Sequence, residues 1–486
     1  MRLFSVLLCA ILVFFACTEL HAGDPRKIVR IDGLSSTEVS SLGAQGYDIA
    51  RAGEDFAEIV VSQNELKKLT KLHYKKSKLT VLVADVGAYI NKVLADQTPG
   101  AEYYTYERLV ATLNQWAEQY PTIAKLYSIG KSSEGRDILA MKISDNPDVN
   151  ESEPAAFING GHHAREWISI ETPMEAMKQL LEGYGKDSKL TQLVNTRETW
   201  FIPVVNPDGW IYSQTQSKFW RKNRRQIDSV NFGVDLNRNY SYKWGNSGAS
   251  EDPSADTYAG PNAFSEPETQ AIKALCERER FQTCLSFHSY SELNLYPFSY
   301  AKAAPNPDKS KFQYLAQDIG EFNHYMPQNS AELYPASGVI DDWIYTSFKT
   351  MAITIELGKT FIPPANQIAE INKLNVPAVF LMMEKAGTYG ITTPGNFFNP
   401  ESLMETQTGI AALVDGADFL DSLSTDHQLK TIDKLQKIGL RVSELTALEM
   451  LSGNSTTWNV LQDSPSASFV IPLVKNRLKF AEIHDK

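Results

Sequence analysis

Short apolar runs alternate with helix-like segments through the middle of the chain, from residue 101 to about 390. The apolar runs read AAFING, WFIPVV, TCLSFHSY and MAITIEL, and the segments ERLVATLNQWAEQY and ETPMEAMKQLLEGY carry apolar residues at helical spacing. Strands that alternate with helices are typical of a mainly parallel sheet buried between helices. The pattern therefore predicts a large α/β layer structure. Ser265, followed three residues later by Glu268, also predicts a capping box at the start of the helix SEPETQAIKALCERER.

A smaller unit precedes this stretch. Residues 23–98 carry the strand-like runs IVRI, AEIVV and LTVLV, with the helix-like runs STEVSSLGAQ and SQNELKKLTKL between them. This alternation predicts a small α+β unit. The polar stretch that follows ends in Pro99 and Gly100, a pair that strongly favours a turn or loop between structured elements. We therefore place a linker there and expect it to be accessible to proteases.

The first 22 residues have the layout of a cleaved secretory signal. Arg2 precedes fifteen residues, 3–17, in which Ser5 is the only polar side chain, and a small residue follows at Ala22. A membrane anchor is disfavoured because fifteen residues fall short of the roughly 20 that span a bilayer. Cys17 leaves a lipoprotein as an alternative. We therefore expect an exported chain with no membrane partner.

The last stretch, residues 391–486, shows no recognisable chemistry. It contains one helix-like run, DHQLKTIDKLQKIGLRVSELTALEML, followed by Ser- and Thr-rich pieces. An accessory domain, a second processed extension and a packing appendage all fit this pattern.

The charge balance excludes one class of partner. The 486 residues include 47 basic and 58 acidic side chains, which gives a net charge of −11. A protein that holds nucleic acid through its phosphates needs a net basic face, so we expect no nucleic-acid partner. Outside the signal, only Cys276 and Cys284 remain. A small disulfide loop and two buried thiols fit their spacing equally well.

Two histidine-containing segments indicate a zinc site. In GHHAREW, His163 and Glu166 are three residues apart, so their side chains project from the same side of a turn. His288 follows an apolar strand, TCLSF, and the carboxyl ends of such strands are where α/β folds bind ligands. Two histidines and one glutamate leave a fourth zinc position for water, which is typical of catalytic zinc. His162 is a competing ligand, but it lies one residue too early for the spacing.

Zinc-bound water needs a base, and the sequence offers Glu356. This residue ends the run MAITIEL, which is too apolar to contain a carboxylate without a specific reason. A cluster of five basic residues, KFWRKNRR at 218–225, and the segment VDLNRNY at 234–240 also stand out. In an acidic chain we interpret them as a clamp in which paired guanidinium groups and an Asn bind one carboxylate. A solvated basic loop is the alternative.

Together these motifs resemble a known family. The chain is similar to the zinc metallocarboxypeptidases of the carboxypeptidase A/B type, the M14 family, in the segments GHHAREW, NPDGW, FWRKNRR, GVDLNRNY, FHSYSELNLYPF, LYPASGVIDDW and TIEL. The segments YSIGKSSEGRDI and SYKWG resemble the bacterial carboxypeptidase T branch. The resemblance covers residues 101–390. It implies a three-layer α/β/α fold with a mixed, mostly parallel eight-stranded sheet and one zinc ion, and it implies an inhibitory propeptide at residues 23–100.

The resemblance also implies roles for individual residues. It makes His163, Glu166 and His288 the zinc ligands and Glu356 the general base. Arg221 would polarise the scissile carbonyl and stabilise the oxyanion. The implied substrate-binding residues are Asn237 and Arg238 on the terminal carboxylate, Tyr334 as a cap over the bound residue, and Arg165, Ser289 and Tyr290 along the neighbouring subsites.

Specificity depends on the segment LYPASGVIDDW. Asp341 matches the pocket-floor position that holds Asp in B-type enzymes, where a buried carboxylate favours C-terminal Lys or Arg. Its neighbour Asp342 looks structural. Val339 and Ile340 replace the small Gly and Ser of B-type enzymes, which predicts a narrower pocket or broad specificity.

The function that we expect is a secreted zinc carboxypeptidase, made as a zymogen, which hydrolyses the C-terminal bond of peptides and proteins. Its expected partners are those C-termini and an activating endoprotease that cuts near residues 92–102, and we expect a monomer. A lysosome, vacuole or periplasm is the alternative to an extracellular location. A non-catalytic peptide-carboxylate binding protein and a zinc hydrolase of acylated amino acids are alternative functions.

Overall fold

A computed structural model describes residues 26–53, 55–71, 78–95, 102–151 and 153–388. All of them belong to the first of the two units into which the chain divides, Met1–Ile391. The predicted signal at 1–22, most of the predicted linker and the extension at 391–486 lie outside the described residues. We call residues 26–95 the small domain and residues 102–388 the large domain. In the described residues, the helices are too short or too polar to cross a membrane.

The small domain is a four-stranded antiparallel sheet with three helices. Its strand order is β2-β3-β1-β4. The elements are β1 (Lys27–Asp32), α1 (Ser36–Ala44), β2 (Asp48–Ala52), β3 (Phe56–Val61), α2 (Gln63–Lys71), β4 (Lys78–Val83) and α3 (Val86–Ala95). The predicted α+β character is confirmed.

The large domain is built on an eight-stranded sheet of order β11-β10-β12-β9-β7-β8-β6-β5. Its strands are β5 (Ala124–Lys131), β6 (Asp137–Ile143), β7 (Ala155–Asn159), β8 (Glu198–Ile202), β9 (Thr283–His288), β10 (Leu293–Tyr296), β11 (Met326–Asn329) and β12 (Met351–Glu356). Four of the seven strand pairings are parallel, which confirms the mixed, mostly parallel sheet.

Helices cover both faces of this sheet. They are α4 (Tyr106–Gln119), α5 (Ile168–Gly183), α6 (Ser188–Val194), α7 (Pro207–Thr215), α8 (Pro267–Glu279), α9 (Lys309–Asn323), α10 (Ser330–Leu333), α11 (Ile340–Phe348) and α12 (Ile368–Lys385). Alternate residues of β7 join different cores because successive strand side chains point to opposite faces. Ala156 and Ile158 pack in the core with α5 and α12, whereas Ala155 and Phe157 pack in the core with α8 and α11. This is the predicted three-layer arrangement.

The predicted capping box at Ser265 is wrong. Helix α8 begins at Pro267, its N-cap is Glu266, and it has no side-chain capping bond. Proline favours the first position of a helix because it has no N–H to satisfy there. The Glu268 carboxylate instead accepts from the backbone N–H of Ser133, at 3.0 Å.

The two cysteines of the large domain are buried free thiols, one of the two alternatives that the sequence left open.

The first residues of the large domain are hydrogen-bonded to α5 and to the loop that follows β12. The backbone N–H of Tyr104 donates to Glu171 Oε1 at 2.7 Å, and the Tyr103 hydroxyl donates to the carbonyl of Pro363 at 2.6 Å. Burial raises the pKa of Glu171 to about 8. The chain therefore enters the large domain at a fixed position, close to α5, whose N-terminus follows Glu166.

Candidate active site

The site lies at the carboxyl ends of three neighbouring parallel strands, β7, β9 and β12. His288 is the last residue of β9 and is paired in register with Glu356, the last residue of β12. His163 and Glu166 lie in the turn that joins β7 to α5. Because parallel strands end at the same edge of a sheet, residues far apart in the sequence meet here.

Three side chains converge with donor atoms facing one another. His163 Nδ1 lies 2.8 Å from Glu166 Oε1, His288 Nδ1 lies 3.0 Å from Glu166 Oε2, and the two Nδ1 atoms are 3.1 Å apart. All three residues are buried, and they could hold one metal ion. Two imidazoles and one carboxylate are a donor set that zinc prefers. The residues therefore fit a zinc ion.

Asp235 contacts His163 on the side of the ring that faces away from Glu166 and His288. Its Oδ1 lies 3.1 Å from His163 Nε2, the ring nitrogen that faces away from the other donor atoms, and its Oδ2 accepts from Arg221 Nε at 3.0 Å. Burial alone would raise the pKa of Asp235, but the Arg221 guanidinium and His163 hold it well below its usual range. Asp235 lies in the segment VDLNRNY, but the sequence does not identify it as a site residue.

Arg221 connects several acidic groups of the site. Besides Asp235, its Nη1 lies 3.7 Å from Glu166 Oε1 and 3.9 Å from Asp48 Oδ1 of the small domain. Burial opposes its charge, yet these carboxylates raise its pKa above the ordinary arginine value. Arg221 is therefore a buried, permanently charged hydrogen-bond donor beside His163, Glu166 and His288, which we call the triad.

Glu356, the last residue of β12, lies beside His288 on the neighbouring strand. Its pKa is raised to about 8, mainly by loss of hydration and also by the neighbouring Glu166, although His288 and Arg221 act to lower it. A carboxyl whose pKa is near neutrality is suited to accept and return protons.

Asn237 and Arg238 lie on a short 3₁₀ turn next to the triad. Asn237 Nδ2 is 3.4 Å from His288 Nε2, and its Oδ1 accepts from the backbone N–H of Ile340 at 2.9 Å. Arg238 donates to the carbonyl of Gly248 at 2.7 Å and to the Tyr334 hydroxyl at 3.4 Å. The amide of Asn237, the guanidinium of Arg238 and the phenol of Tyr334 therefore lie together on this side of the site.

His162 stacks on His288, with ring centres 5.5 Å apart, but it is not one of the three residues whose donor atoms converge. Its Nε2 lies 2.9 Å from the Tyr240 hydroxyl, and burial lowers the pKa of its ring well below the ordinary value.

Adjacent aspartates at the start of α11 have different surroundings. Asp342 accepts from the backbone N–H groups of Ser299 and Tyr300, at 2.9 and 3.2 Å. Asp341 accepts from the Thr354 hydroxyl at 2.6 Å through Oδ2, while its buried Oδ1 has no hydrogen-bond partner among the described residues. Burial raises the pKa of Asp341 to about 6.

The small domain covers the other side of the site. Asp48 Oδ2 lies 2.6 Å from Arg165 Nη2, and Glu58 accepts from the Tyr290 hydroxyl at 3.0 Å. The Tyr334 ring packs against the core of the small domain. The Ser289 hydroxyl donates to the carbonyl of Phe361 at 3.0 Å.

Only one residue of the basic cluster at 218–225 contacts the triad. Arg225 pairs with Glu266 at 2.6 Å, Lys222 donates to the carbonyl of Pro253 at 2.7 Å, and Lys218 donates to the carbonyl of Gln214. Arg224 stacks on Tyr212, Trp220 and Phe232. The interpretation of the whole cluster as a clamp is therefore wrong, since Arg221 alone reaches the site.

An α/β/α fold that gathers a zinc-type donor triad, a carboxyl of raised pKa and a buried arginine defines the class of metal-dependent hydrolases. Residues 109–378 match the family model described as zinc carboxypeptidase, which is more than half of the chain. The chain therefore belongs to the zinc carboxypeptidase family, and it is a hydrolytic metallocarboxypeptidase.

Individual relatives agree with this assignment. A zinc carboxypeptidase of Saccharothrix mutabilis subsp. capreolus is 34% identical over 58% of this chain and 69% of its own. Human carboxypeptidase B is 33% identical over 64% of this chain and 77% of its own. The crystal structure of thrombin activatable fibrinolysis inhibitor matches with a TM-score of 0.62 and 26% identity, over 74% of this chain and 99% of that one. Carboxypeptidase A of Helicoverpa armigera, 22% identical, shares the fold with a TM-score of 0.66, over 74% of this chain and 97% of that one.

Proposed function

We propose that the protein is a secreted zymogen of a zinc carboxypeptidase that removes C-terminal Lys or Arg from peptides and proteins. In this proposal residues 1–22 are the signal, residues 23–100 the prodomain and residues 101–390 the catalytic domain. An endoprotease that cuts near residues 92–102 activates the enzyme, which acts as a monomer outside the cell. The proposal assigns no role to residues 391–486.

His163, Glu166 and His288 hold one zinc ion. Bound there, zinc supplies Lewis-acid chemistry and makes a water reactive near neutral pH. Asp235 fixes the ring of His163 from its far nitrogen, which orients the ligand. Glu356 takes the proton of the attacking water and returns it to the leaving amine. Its raised pKa supports this role, because a base is most effective when its pKa lies near the working pH.

The neighbouring donors bind the substrate. Arg221 donates to the scissile carbonyl oxygen, where negative charge develops as the water attacks. Asn237 and Arg238 bind the terminal carboxylate, and Tyr334 covers the bound residue once the prodomain has left. Arg165, Ser289 and Tyr290 line the subsites for the rest of the chain. A clamp for a free carboxylate makes the enzyme an exopeptidase.

One observation carries the preference for basic residues: the unpartnered, buried Oδ1 of Asp341. A buried carboxylate oxygen without a hydrogen bond is costly, and a cation that enters the pocket removes this cost. An ammonium or guanidinium group of the substrate meets this requirement, whereas a Leu or Phe side chain does not.

Contacts between the small domain and the large domain support the proposal that the protein is made as a zymogen. Its carboxylates Asp48 and Glu58 bind Arg165 and Tyr290, two residues that we assign to substrate binding. Substrate and prodomain would therefore compete for the same side chains. Removal of residues 26–95 is needed before a peptide can enter.

The deciding experiment uses the full chain with zinc, cut by a protease within residues 92–102. We expect it to release the last residue from peptides that end in Lys or Arg, at least tenfold faster than from peptides that end in Leu or Phe. A chelator should abolish the release, and zinc should restore it. Release that favours Leu or Phe would remove the role of Asp341.

Two controls separate the parts of the proposal. Peptides with a C-terminal amide should be resistant, because they lack the carboxylate for Asn237 and Arg238. Glu356→Gln should keep its zinc content and lose about 10²–10⁴-fold in kcat. A Glu356→Gln enzyme that keeps most of its activity would show that the base is another group.

A further inference from the structure

The segment NPDGW follows β8, and its first residue, Asn206, plays no part in the chemistry proposed above. Asn206 is fully buried and caps the N-terminus of α7, where its Oδ1 accepts from the backbone N–H of Gly209 at 2.9 Å. Asparagine is favoured at this position because its short side chain reaches an N–H group of the first turn that has no partner within the helix. The cap uses only the oxygen of the amide, so the nitrogen is left for other partners.

The amide nitrogen of Asn206 joins two loops of the active site. It donates to the carbonyl of His162 at 3.1 Å and to the carbonyl of Lys222 at 3.1 Å. A side-chain amide has two N–H donors, so both are used in this bridge. His162 directly precedes His163, and Lys222 directly follows Arg221. Asn206 therefore holds the immediate neighbours of a proposed zinc ligand and of the proposed oxyanion donor.

Backbone hydrogen bonds continue this bridge on both sides. The N–H of Asn206 donates to the carbonyl of Gly161 at 3.0 Å, and the N–H of Ala164 donates to the carbonyl of Arg221 at 2.9 Å. The turn that contains His163 and the loop that contains Arg221 are thus linked through main-chain atoms. A change in the spacing of the two loops would move both side chains relative to each other.

Gly209 lets the first turn of α7 lie close to the bridge. A Cβ atom at Gly209 would lie 2.3 Å from the carbonyl oxygen of Lys222 and 2.5 Å from Asn206 Nδ2. Both distances are far shorter than van der Waals contact, so a larger residue would displace the loop after Arg221 or break the bridge. The local sequence is therefore suited to this close contact.

We propose that Asn206 is a positioning residue that sets the distance between Arg221 and the triad. The inference rests on the proposed function, because it takes Arg221 as the donor to the scissile carbonyl oxygen, and it adds a residue that acts through Arg221. A donor stabilises the charge that develops in the transition state only if it already lies in the correct place. Loss of the bridge should therefore lower kcat more than it raises KM.

The test is a double-mutant cycle between Asn206→Ser and Arg221→Gln in the activated full chain at saturating zinc. Serine is also a favoured N-cap residue, so Asn206→Ser keeps an acceptor for Gly209 and removes the two donors. On a peptide that ends in Lys, we expect Asn206→Ser to lower kcat about tenfold and to change KM by less than about twofold. In the Arg221→Gln background it should lower kcat by less than about twofold.

Asn294→Ser is the matched control. Asn294 is also a fully buried asparagine, and its Nδ2 donates to the carbonyls of Ala316 and Tyr325, each at 3.3 Å. Its effect on kcat, whatever its size, should be the same with and without Arg221. An equal loss from Asn206→Ser in both backgrounds would overturn the inference, because it would show a general effect on the fold.

Hydrogen exchange gives a readout that does not depend on catalysis. The Ala164 amide, which donates to Arg221, should exchange at least tenfold faster in Asn206→Ser than in the wild type, because the two loops are no longer held together. Mass spectrometry of peptides that contain Ala164 measures this exchange. Unchanged exchange would overturn the inference alone, whereas a wild type that releases no residue from any peptide would overturn the proposed function and this inference with it.

A second variant covers the case in which Asn206→Ser does not fold. Asn206→Asp has the same shape, also caps α7 and also lacks the two donors, so it can replace Asn206→Ser in the cycle. Failure of both variants to fold would show that Asn206 is required for the fold itself, which would overturn its assignment as a positioning residue.

Discussion

Asp235 Oδ1 lies 3.1 Å from His163 Nε2, on the side of the imidazole that faces away from Glu166 and His288. A carboxylate at this nitrogen fixes the proton there and leaves Nδ1 free to face the other donor atoms. The same carboxylate binds Arg221, so one buried acid orients both a proposed metal ligand and the proposed oxyanion donor.

We expect Asp235→Asn to weaken zinc binding by about 10–100-fold, because the amide holds His163 less firmly. Competition with a chromogenic chelator measures this affinity. Arg221→Gln is the matched variant, since it removes the other partner of Asp235 and keeps the contact with His163. It should bind zinc nearly as tightly as the wild type while kcat falls. Equal zinc affinity in Asp235→Asn and the wild type would contradict the role of Asp235.

The Asp341 pocket predicts a pH-dependent preference. With its pKa raised to about 6, the Asp341 carboxyl is charged above pH 6 and becomes neutral as the pH falls below it. The ratio of kcat/KM for peptides ending in Lys to that for peptides ending in Leu should therefore fall between pH 7.5 and pH 5. Using a ratio cancels ionisations that affect both substrates, such as that of Glu356.

Asp341→Asn should lose this pH dependence. The amide carries no charge at any pH, so the ratio should be about tenfold lower than in the wild type at pH 7.5 and flat down to pH 5. A ratio that still falls with acid in Asp341→Asn would assign the ionisation to another group.

The contact between Asp48 and Arg165 predicts a less tightly inhibited zymogen when it is broken. Removing one member of a buried charge pair costs about 2–5 kcal/mol at an interface. The uncut Asp48→Asn chain should therefore hydrolyse a small substrate at least tenfold faster than the uncut wild type. Asp32→Asn is the control, because Asp32 is only half-buried and pairs with Arg30 of its own strand. Equal activity of the uncut Asp48→Asn and Asp32→Asn chains would contradict the inhibitory role of Asp48.

Glu171 predicts how stability depends on pH. Its pKa is raised from 4.5 to about 8 by burial, so the folded protein binds this proton more tightly than the unfolded chain does. The stability that the bound proton supplies is complete below pH 4.5 and is lost as the pH rises through 8. Glu171→Gln keeps an acceptor for Tyr104 and has no such loss.

We therefore expect the thermal midpoint of the wild type to fall more between pH 5 and pH 8.5 than that of Glu171→Gln. The difference corresponds to on the order of 4 kcal/mol. Glu175→Gln, one turn further along α5 and partly exposed, should follow the wild type. Parallel pH profiles for Glu171→Gln and the wild type would mean that Glu171 is charged in the folded state.

The apolar runs of the sequence predict four strands of the large domain, β7, β8, β9 and β12, because these strands are buried on both faces. Runs such as MAITIEL must be apolar throughout, and this pattern is visible without knowledge of their neighbours. Strand β2, by contrast, was not predicted. Its sequence DIARA contains Asp48 and Arg51 and lacks a clear alternation, and it forms because β3 offers an edge for pairing.

The residues of the site likewise fall into those that the sequence identifies and those that it does not. The spacing of His163 and Glu166, and the position of His288 after a strand, identify three residues whose donor atoms meet in the structure. Asp235 could not be found in this way, because its contacts with His163 and Arg221 exist only after two loops come together. Composition likewise cannot tell that Arg221 faces the site while Arg225 pairs with Glu266.

The single carboxylate of Asp48 that spans Arg165 and Arg221 has a consequence for how such an enzyme evolves. In the proposed zymogen, the two guanidinium groups that Asp48 contacts before activation are the ones that bind the peptide afterwards. A substitution at either arginine would therefore change both latency and substrate binding, so selection could not adjust the two separately at these positions.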